Sequence, residues 1–399
     1  ALDLHDLWKV STSRLRFGKR FRAAGLTFAG LAVAVLGAYW LGSERDAGLE
    51  VTPQRIAVLP LKNATGDPSL DYLGELVADR VTTRFQLERV GEVVPLPTVA
   101  AAVLAGDPAD PAGAVGGETG AAIVIMGSYA IEEDSLTLAF RFMDTPGDTQ
   151  AGYFETKAAI TDLPGPGLEE VESRLAGGLL LAFHGDPLWA YAFYPRIEAY
   201  RPFEEATQLH ADLQTEEALD RYFVAWALDT AFALTPYFAS GAAWDLGLHE
   251  TADSLNRVVG TRFRETMTGV HRLHYDATRA WYEGKLDAAY RAQRRLVDLR
   301  PELWYQRHLL GSYCFAVNRP AEIVETMLAA EDRVADDPSG GGLANLTWHL
   351  RHLTRAYHML GMFDEELETA QRLEDAGWSD APRTQYYKGR AFAGLDRAD

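Results

Sequence analysis

A single cysteine in 399 residues, Cys314, excludes an intrachain disulfide framework. It lies between Tyr313 and Phe315 in a helical pattern and reads as a small core residue. A reactive thiol would instead bring a basic partner close by. Positive charge is also short, with 38 Lys and Arg against 57 Asp and Glu and a formal net charge of −19. The shortage is uneven. The first 23 residues hold six basic residues (Lys9, Arg14, Arg16, Lys19, Arg20, Arg22) against Asp3 and Asp6, which leaves −23 on the remainder. A body that acidic repels phosphate backbones, so nucleic acid is not an expected partner.

The signatures of catalysis are missing too. The chain has no Gly-x-Ser-x-Gly elbow and no His-Glu-x-x-His pair. Residues 113–120 are glycine-rich but lack the Lys-Ser/Thr ending of a phosphate-binding loop and follow no clear strand, so they read as an ordinary loop. His271-x-x-His274 and His349-x-x-His352, with His358 beyond, place imidazoles at helical spacing. Zinc would need a third and a fourth ligand beside either pair, and packed or solvent-facing histidines are the expectation. The acidic runs Glu132-Glu133-Asp134 and Glu365-Glu366 read as solvated surface. No catalytic residue, cofactor or metal is expected, and the chain reads as non-enzymatic.

What is present begins with residues 23–42, which contain no charge. As a helix rising about 1.5 Å per residue they span roughly 30 Å, the thickness of a bilayer's hydrocarbon core. Arg20 and Arg22 precede this stretch, Tyr39 and Trp40 sit near its far end, and Glu44 and Asp46 follow. That charge order predicts a cytoplasmic N-terminus, with the bulk of the chain in the periplasm. The stretch is longer than a signal core, and no small-x-small cleavage site follows it, so it reads as an uncleaved inner-membrane anchor. Gly30, Ala34, Ala38 and Gly42 recur every four residues and would admit another membrane helix closely. Leu4, Leu7, Trp8 and Leu15, with Arg14, Arg16, Lys19, Arg20 and Arg22 nearby, suit a short helix lying on the bilayer surface. Expected partners are therefore proteins, a membrane helix among them, and the lipid bilayer. Leu7-Trp8-Lys9-Val10, the basic run and the span weakly resemble light-harvesting antenna polypeptides. The span holds no His to ligate bacteriochlorophyll, so the resemblance implies only a supporting role in a photosynthetic or other energy-transducing assembly.

After a linker (43–54) ending near Pro53, residues 55–61 (RIAVLPL) give a buried-strand signal. Residues 63–68 (NATGDP) are a turn cluster, and Leu70, Leu73, Leu76, Val77, Val81 and Phe85 recur at helical spacing. Residues 92–95 read as a short strand, 100–120 as a helix plus loop, and 121–129 and 136–142 as a hairpin. A further strand at 152–158 and a helix over 167–183 complete the pattern. The strings RIAVLPLKNATGDPSLDYLGELVADRV and ETGAAIVIMGSYAIEEDSLTLAFRFMD resemble the TolB amino-terminal domain over roughly residues 54–183. That resemblance implies a small α/β binding or scaffold domain without a transferable catalytic set. Regulatory relatives place an effector ahead of the span, where this chain has about 22 residues, so a sensory or regulatory role is only a further alternative.

From about residue 197 a helix-turn-helix unit recurs, with turn positions at Gln214, His249, Gly284, Asn318, Gly361 and Gly394. Most steps are near 34 residues, and the longer step holds Ser339-Gly340-Gly341-Gly342, an inserted loop. Aromatic and aliphatic residues such as Tyr275, Trp281 and Tyr357 precede the turns, small ones such as Ala288, Ala289 and Ala370 follow them, and Pro301 and Pro338 close second helices. The pattern is similar to tetratricopeptide (TPR) repeats. Each helix pair buries one face against its neighbours, giving a solenoid whose concave surface suits peptides or other proteins. The last unit stops just past its turn, where further chain or a partner is expected to cover the end.

The expected fold class is therefore multidomain: a single transmembrane helix, a small α/β domain, then an all-α TPR-like solenoid. Its expected limits are 1–22 cytoplasmic, 23–42 membrane, 43–54 linker, 55–185 α/β domain and 190–399 repeats. The expected function is a membrane-anchored interaction scaffold, the alternative being an accessory subunit of a larger integral-membrane complex.

Overall fold

Strand β1 (Thr52–Val58) lies inside a six-stranded mixed sheet, and this explains its unbroken apolar run. Ile56 and Val58 face one side of the sheet and Ala57 and Leu59 the other, and all four are buried, since helices cover both sides here. The computed structural model describes residues 52–132, 135–159, 165–185, 187–212, 214–331, 342–376 and 381–395. In chain order the first part comprises β1, β2 (Lys62–Asn63), α1 (Tyr72–Glu88), β3 (Glu92–Val93), α2 (Leu96–Ala105) and α3 (Pro111–Thr119). Then come β4 (Ala121–Glu132), β5 (Ser135–Asp144), β6 (Thr149–Ala159) and α4 (Pro166–His184). The strand order is β3-β1-β4-β5-β6, with β2 beside the far end of β4. Pairings among β1, β2, β3 and β4 are parallel, whereas β4, β5 and β6 form an antiparallel meander.

Val77, Val81 and Phe85 of α1 and Leu168, Val171 and Leu175 of α4 close one face of the sheet. Val99 and Ala102 of α2 and Ala112 and Val115 of α3 close the other. Leu136, Leu138, Phe140 and Phe142 of β5 are buried at every second position, the period of a strand with one covered face. The turn cluster after β1 is a side-chain knot. Asn63 Oδ1 accepts from the Thr65 amide and hydroxyl, Asn63 Nδ2 donates to Asp71, and Asp67 caps the next turn at the Ser69 amide.

The glycine-rich residues 113–119, read as a loop, are helical instead and belong to α3. Asp110 accepts from the Gly113 amide and Pro111 opens the first turn, so start signals outweigh the poor helix propensity of glycine. Gly116 then lets the helix approach Thr145.

Five helix pairs follow among the described residues: α5 (Ile197–Ala211) with α6 (Thr215–Leu228), α7 (Leu234–Asp245) with α8 (His249–Arg262), α9 (Gly269–Tyr282) with α10 (Leu286–Leu299), α11 (Trp304–Ala316) with α12 (Pro320–Leu328), and α13 (Gly342–Leu360) with α14 (Phe363–Asp375). A last helix, α15 (Ala381–Gly394), packs on α14. Four of the hairpins share one closing device. An amide two or three residues past the helix returns to a carbonyl five residues back: Leu248 to Ala243, Lys285 to Ala280, Arg319 to Cys314, Met362 to Tyr357. The residue before each donor is left-handed (Gly247, Gly284, Asn318, Gly361), as this helix-ending turn requires. Cys314 is fully buried among Leu310, Ile323, Met327 and Leu353, and burial pushes its thiol up to about 12.

The fold class is corrected in one respect. Among the described residues no helix is long and apolar enough to cross a membrane. The two 19-residue helices show why: α4 holds Glu169, Glu170, Glu172 and Arg174, and α13 adds His349, His352 and His358 to Arg351 and Arg355. The described fold is a mixed-sheet domain followed by helical repeats, and the inner-membrane location inferred from a span is withdrawn with it. Residues 23–42 lie outside the described residues. So do the stripe Gly30, Ala34, Ala38 and Gly42, and the surface set Trp8, Arg14, Arg16, Lys19, Arg20 and Arg22.

Candidate functional site

The first helices of three consecutive pairs, α9, α11 and α13, line a cavity of about 410 Å³. Trp281 comes from α9, Ser312 and Phe315 from α11, and Trp348, Arg351, His352 and Arg355 from α13. The α13 residues fall at spacings of three and four, so one helix face carries an aromatic ring, two guanidinium groups and an imidazole. The Arg355 guanidinium sits 4.2 Å from the centre of the Phe315 ring, and that of Arg351 sits 5.6 Å from Trp348. Trp348 is 47% exposed, large for its type.

The floor is fixed by His352. Its Nδ1 lies 2.8 Å from the Trp348 carbonyl, which can only accept, so Nδ1 carries the proton. Nε2, 3.0 Å from Ser312 Oγ, is then free to accept from that hydroxyl. Burial pushes His352 and His349 down to about 4 and His308 down to about 3, so the three rings are neutral near pH 7. Charge in the groove therefore comes from Arg351 and Arg355.

The two His-x-x-His pairs do not converge on a metal, and among the described residues no group of three or more His, Cys, Asp or Glu is placed to hold one. His271 is a strut. Its Nε2 donates to the Leu188 carbonyl, its Nδ1 accepts from Thr268, and the ring stacks on Trp189 at 5.0 Å. His358 and Arg390 both meet Glu366, which is fully buried and ties α13, α14 and α15 together. Glu366 thus departs from the solvated reading of its run, while Glu365 is exposed. Reasoning from the sequence missed the groove. The spacing Trp348-x-x-Arg351-His352-x-x-Arg355 was its available signal, a helix face of rings and cations where an apolar stripe is the rule.

No protein-family model and no curated protein sequence matches the chain. Solved structures similar to part of it include YrrB, described as a TPR protein with an unusual peptide-binding site, at 17% identity and TM-score 0.30, covering 48% of this chain and 92% of that one. A thermophilic TPR protein of Thermus thermophilus follows at 14% identity and TM-score 0.34, covering 49% and 98%. MamA is similar at 12% identity and TM-score 0.25, covering 48% and 94%. The TPR-like architecture stands on the five hairpins and on the turn that four of them share.

Proposed function

We infer that the chain is a non-catalytic interaction protein whose helical repeats hold a partner polypeptide in the groove across α9, α11 and α13. The observation behind this reading is the groove itself: α9 and α11 bring the half-buried rings of Trp281 and Phe315 beside the exposed Trp348 ring and the Arg351 and Arg355 guanidinium groups of α13. Arg and Trp are also the residues that dominate binding energy at protein interfaces. The sheet domain, in its likeness to the TolB amino-terminal domain, serves in this reading as the scaffold on which the repeats are mounted.

A photo-crosslinking residue at Ala316, inside the groove, should trap a discrete partner in cells. The same residue at Leu299, exposed at the end of α10, should not, and Trp348→Ala should abolish trapping at Ala316. Equal trapping from both positions, or trapping indifferent to Trp348, defeats the reading. Gel filtration of the trapped complex without crosslinking then separates a permanent subunit, which co-elutes, from a transient scaffold.

A further inference from the structure

Most arginines of the repeats and of α1 and α4 meet carboxylates: Arg84 with Glu198, Arg174 with Asp229, Arg279 with Asp253, Arg294 with Glu322 and Arg390 with Glu366. Arg355 does not. It is exposed, its cation lies over Phe315, and no Asp or Glu stands within ion-pair distance among the described residues. This occurs in a chain whose acidic residues outnumber its basic ones 57 to 38. Arg351 projects one turn away on the same helix and also lies over a ring. A guanidinium resting on an aromatic face keeps its full charge, and its planar set of N–H donors matches a carboxylate. His352 does not compete, because both of its nitrogens are engaged within the protein.

We propose that the ligand of this groove is an acidic peptide segment, with an Asp or Glu carboxylate on Arg355 and a neighbouring aromatic or aliphatic side chain against Trp281 and Trp348. The assignment rests on the groove reading above and adds the charge of the partner. Charge complementarity selects this occupant: a basic segment would meet the Arg355 cation, of its own sign, and a neutral one would leave Arg355 without a counter-charge.

The test presents the full chain with four sets of peptides. Three are capped at both ends and contain a Phe beside paired Glu, paired Gln or paired Lys, and the fourth is neutral with a free terminal carboxylate. The Glu set should bind at least tenfold more tightly than the Gln set, and added salt should weaken it. Arg355→Gln, a change at an exposed site, should erase that preference, and Arg355→Lys should restore part of it. Equal affinity for Glu and Gln sets, preference for Lys, binding confined to the free-carboxylate set, or indifference to Arg355→Gln overturns the acidic-peptide assignment and leaves the groove reading standing. If none of the four sets binds, both are overturned.

Discussion

His349 and His352 sit three residues apart on α13, both buried, and their rings have opposite circumstances. His352 uses both nitrogens, one on the Trp348 carbonyl and one on Ser312. Neither nitrogen of His349 finds a hydrogen-bond partner among the described residues. A buried polar atom without a partner costs free energy that an apolar group of similar shape would not. His349→Leu should therefore leave the melting temperature unchanged or raise it. His352→Leu strands the Ser312 hydroxyl and should cost about 1 kcal/mol. Calorimetry of the two variants checks this, and equal losses would show that side-chain volume outweighs polar satisfaction at both sites.

At the scale of elements, the hairpin turns and the α11–α13 interface each make a prediction. Gly361 has φ of +71°, and a Cβ there would meet nothing within 4 Å. Gly361→Ala therefore isolates backbone strain and should destabilise by about 1 kcal/mol, whereas Asn318→Gly, at φ of +57°, should be neutral or slightly stabilising. The interface is pH-sensitive. Burial holds His308, His349 and His352 well below the 6.5 of a free imidazole. The unfolded chain thus binds protons in a range where the folded chain does not. Stability is fully present above about pH 6.5 and falls as the pH drops toward 4. One such histidine with a folded value of about 4 accounts for about 2 kcal/mol near pH 5, and mutual repulsion among the three keeps their effects from simple addition. Urea titrations across this range should show the slope, and His308→Phe should flatten it. Periodicity made most of these elements readable in advance, since strands and hairpins follow local patterns of two and 3.6 residues. The left-handed Asn318 and Gly361 coincide with turn positions read from the repeat, whereas His249 lies two residues past the left-handed Gly247. The groove was not readable in the same way, because Trp281, Phe315 and Arg355 come from three helices and meet only after the hairpins stack.

At the scale of the molecule, the sheet and the repeats share one apolar core that runs from Ile56 through α4 to Leu303. Helix α4 is the common wall. Leu168 and Leu175 lie in that core together with α1, while Gly177 and Gly178 admit Pro195 and the Tyr194 ring ahead of α5. No local pattern announces such continuity, because a helix buried on two sides reads the same as one buried on a single broad side. Polar groups reinforce the joint. Asp229, buried at the end of α6, accepts from Arg174 of α4 at 3.0 Å, from the Arg196 amide at 3.0 Å and from the Ala231 amide at 3.0 Å. Removing that carboxylate leaves the Arg196 and Ala231 amides short of an acceptor while Arg174 keeps Glu170 and the Tyr194 carbonyl, so Asp229→Ala should cost about 2 kcal/mol. The shared core also dictates how the loss is distributed. If the sheet and the first repeats open together, amides of β4 and β5 and amides of α5 and α7 should exchange with hydrogen at one common opening free energy, and Asp229→Ala should lower both by the same amount. If the sheet amides keep their protection while those of α5 and α7 lose it, the core is divided at α4, and the repeats open and close as a unit of their own.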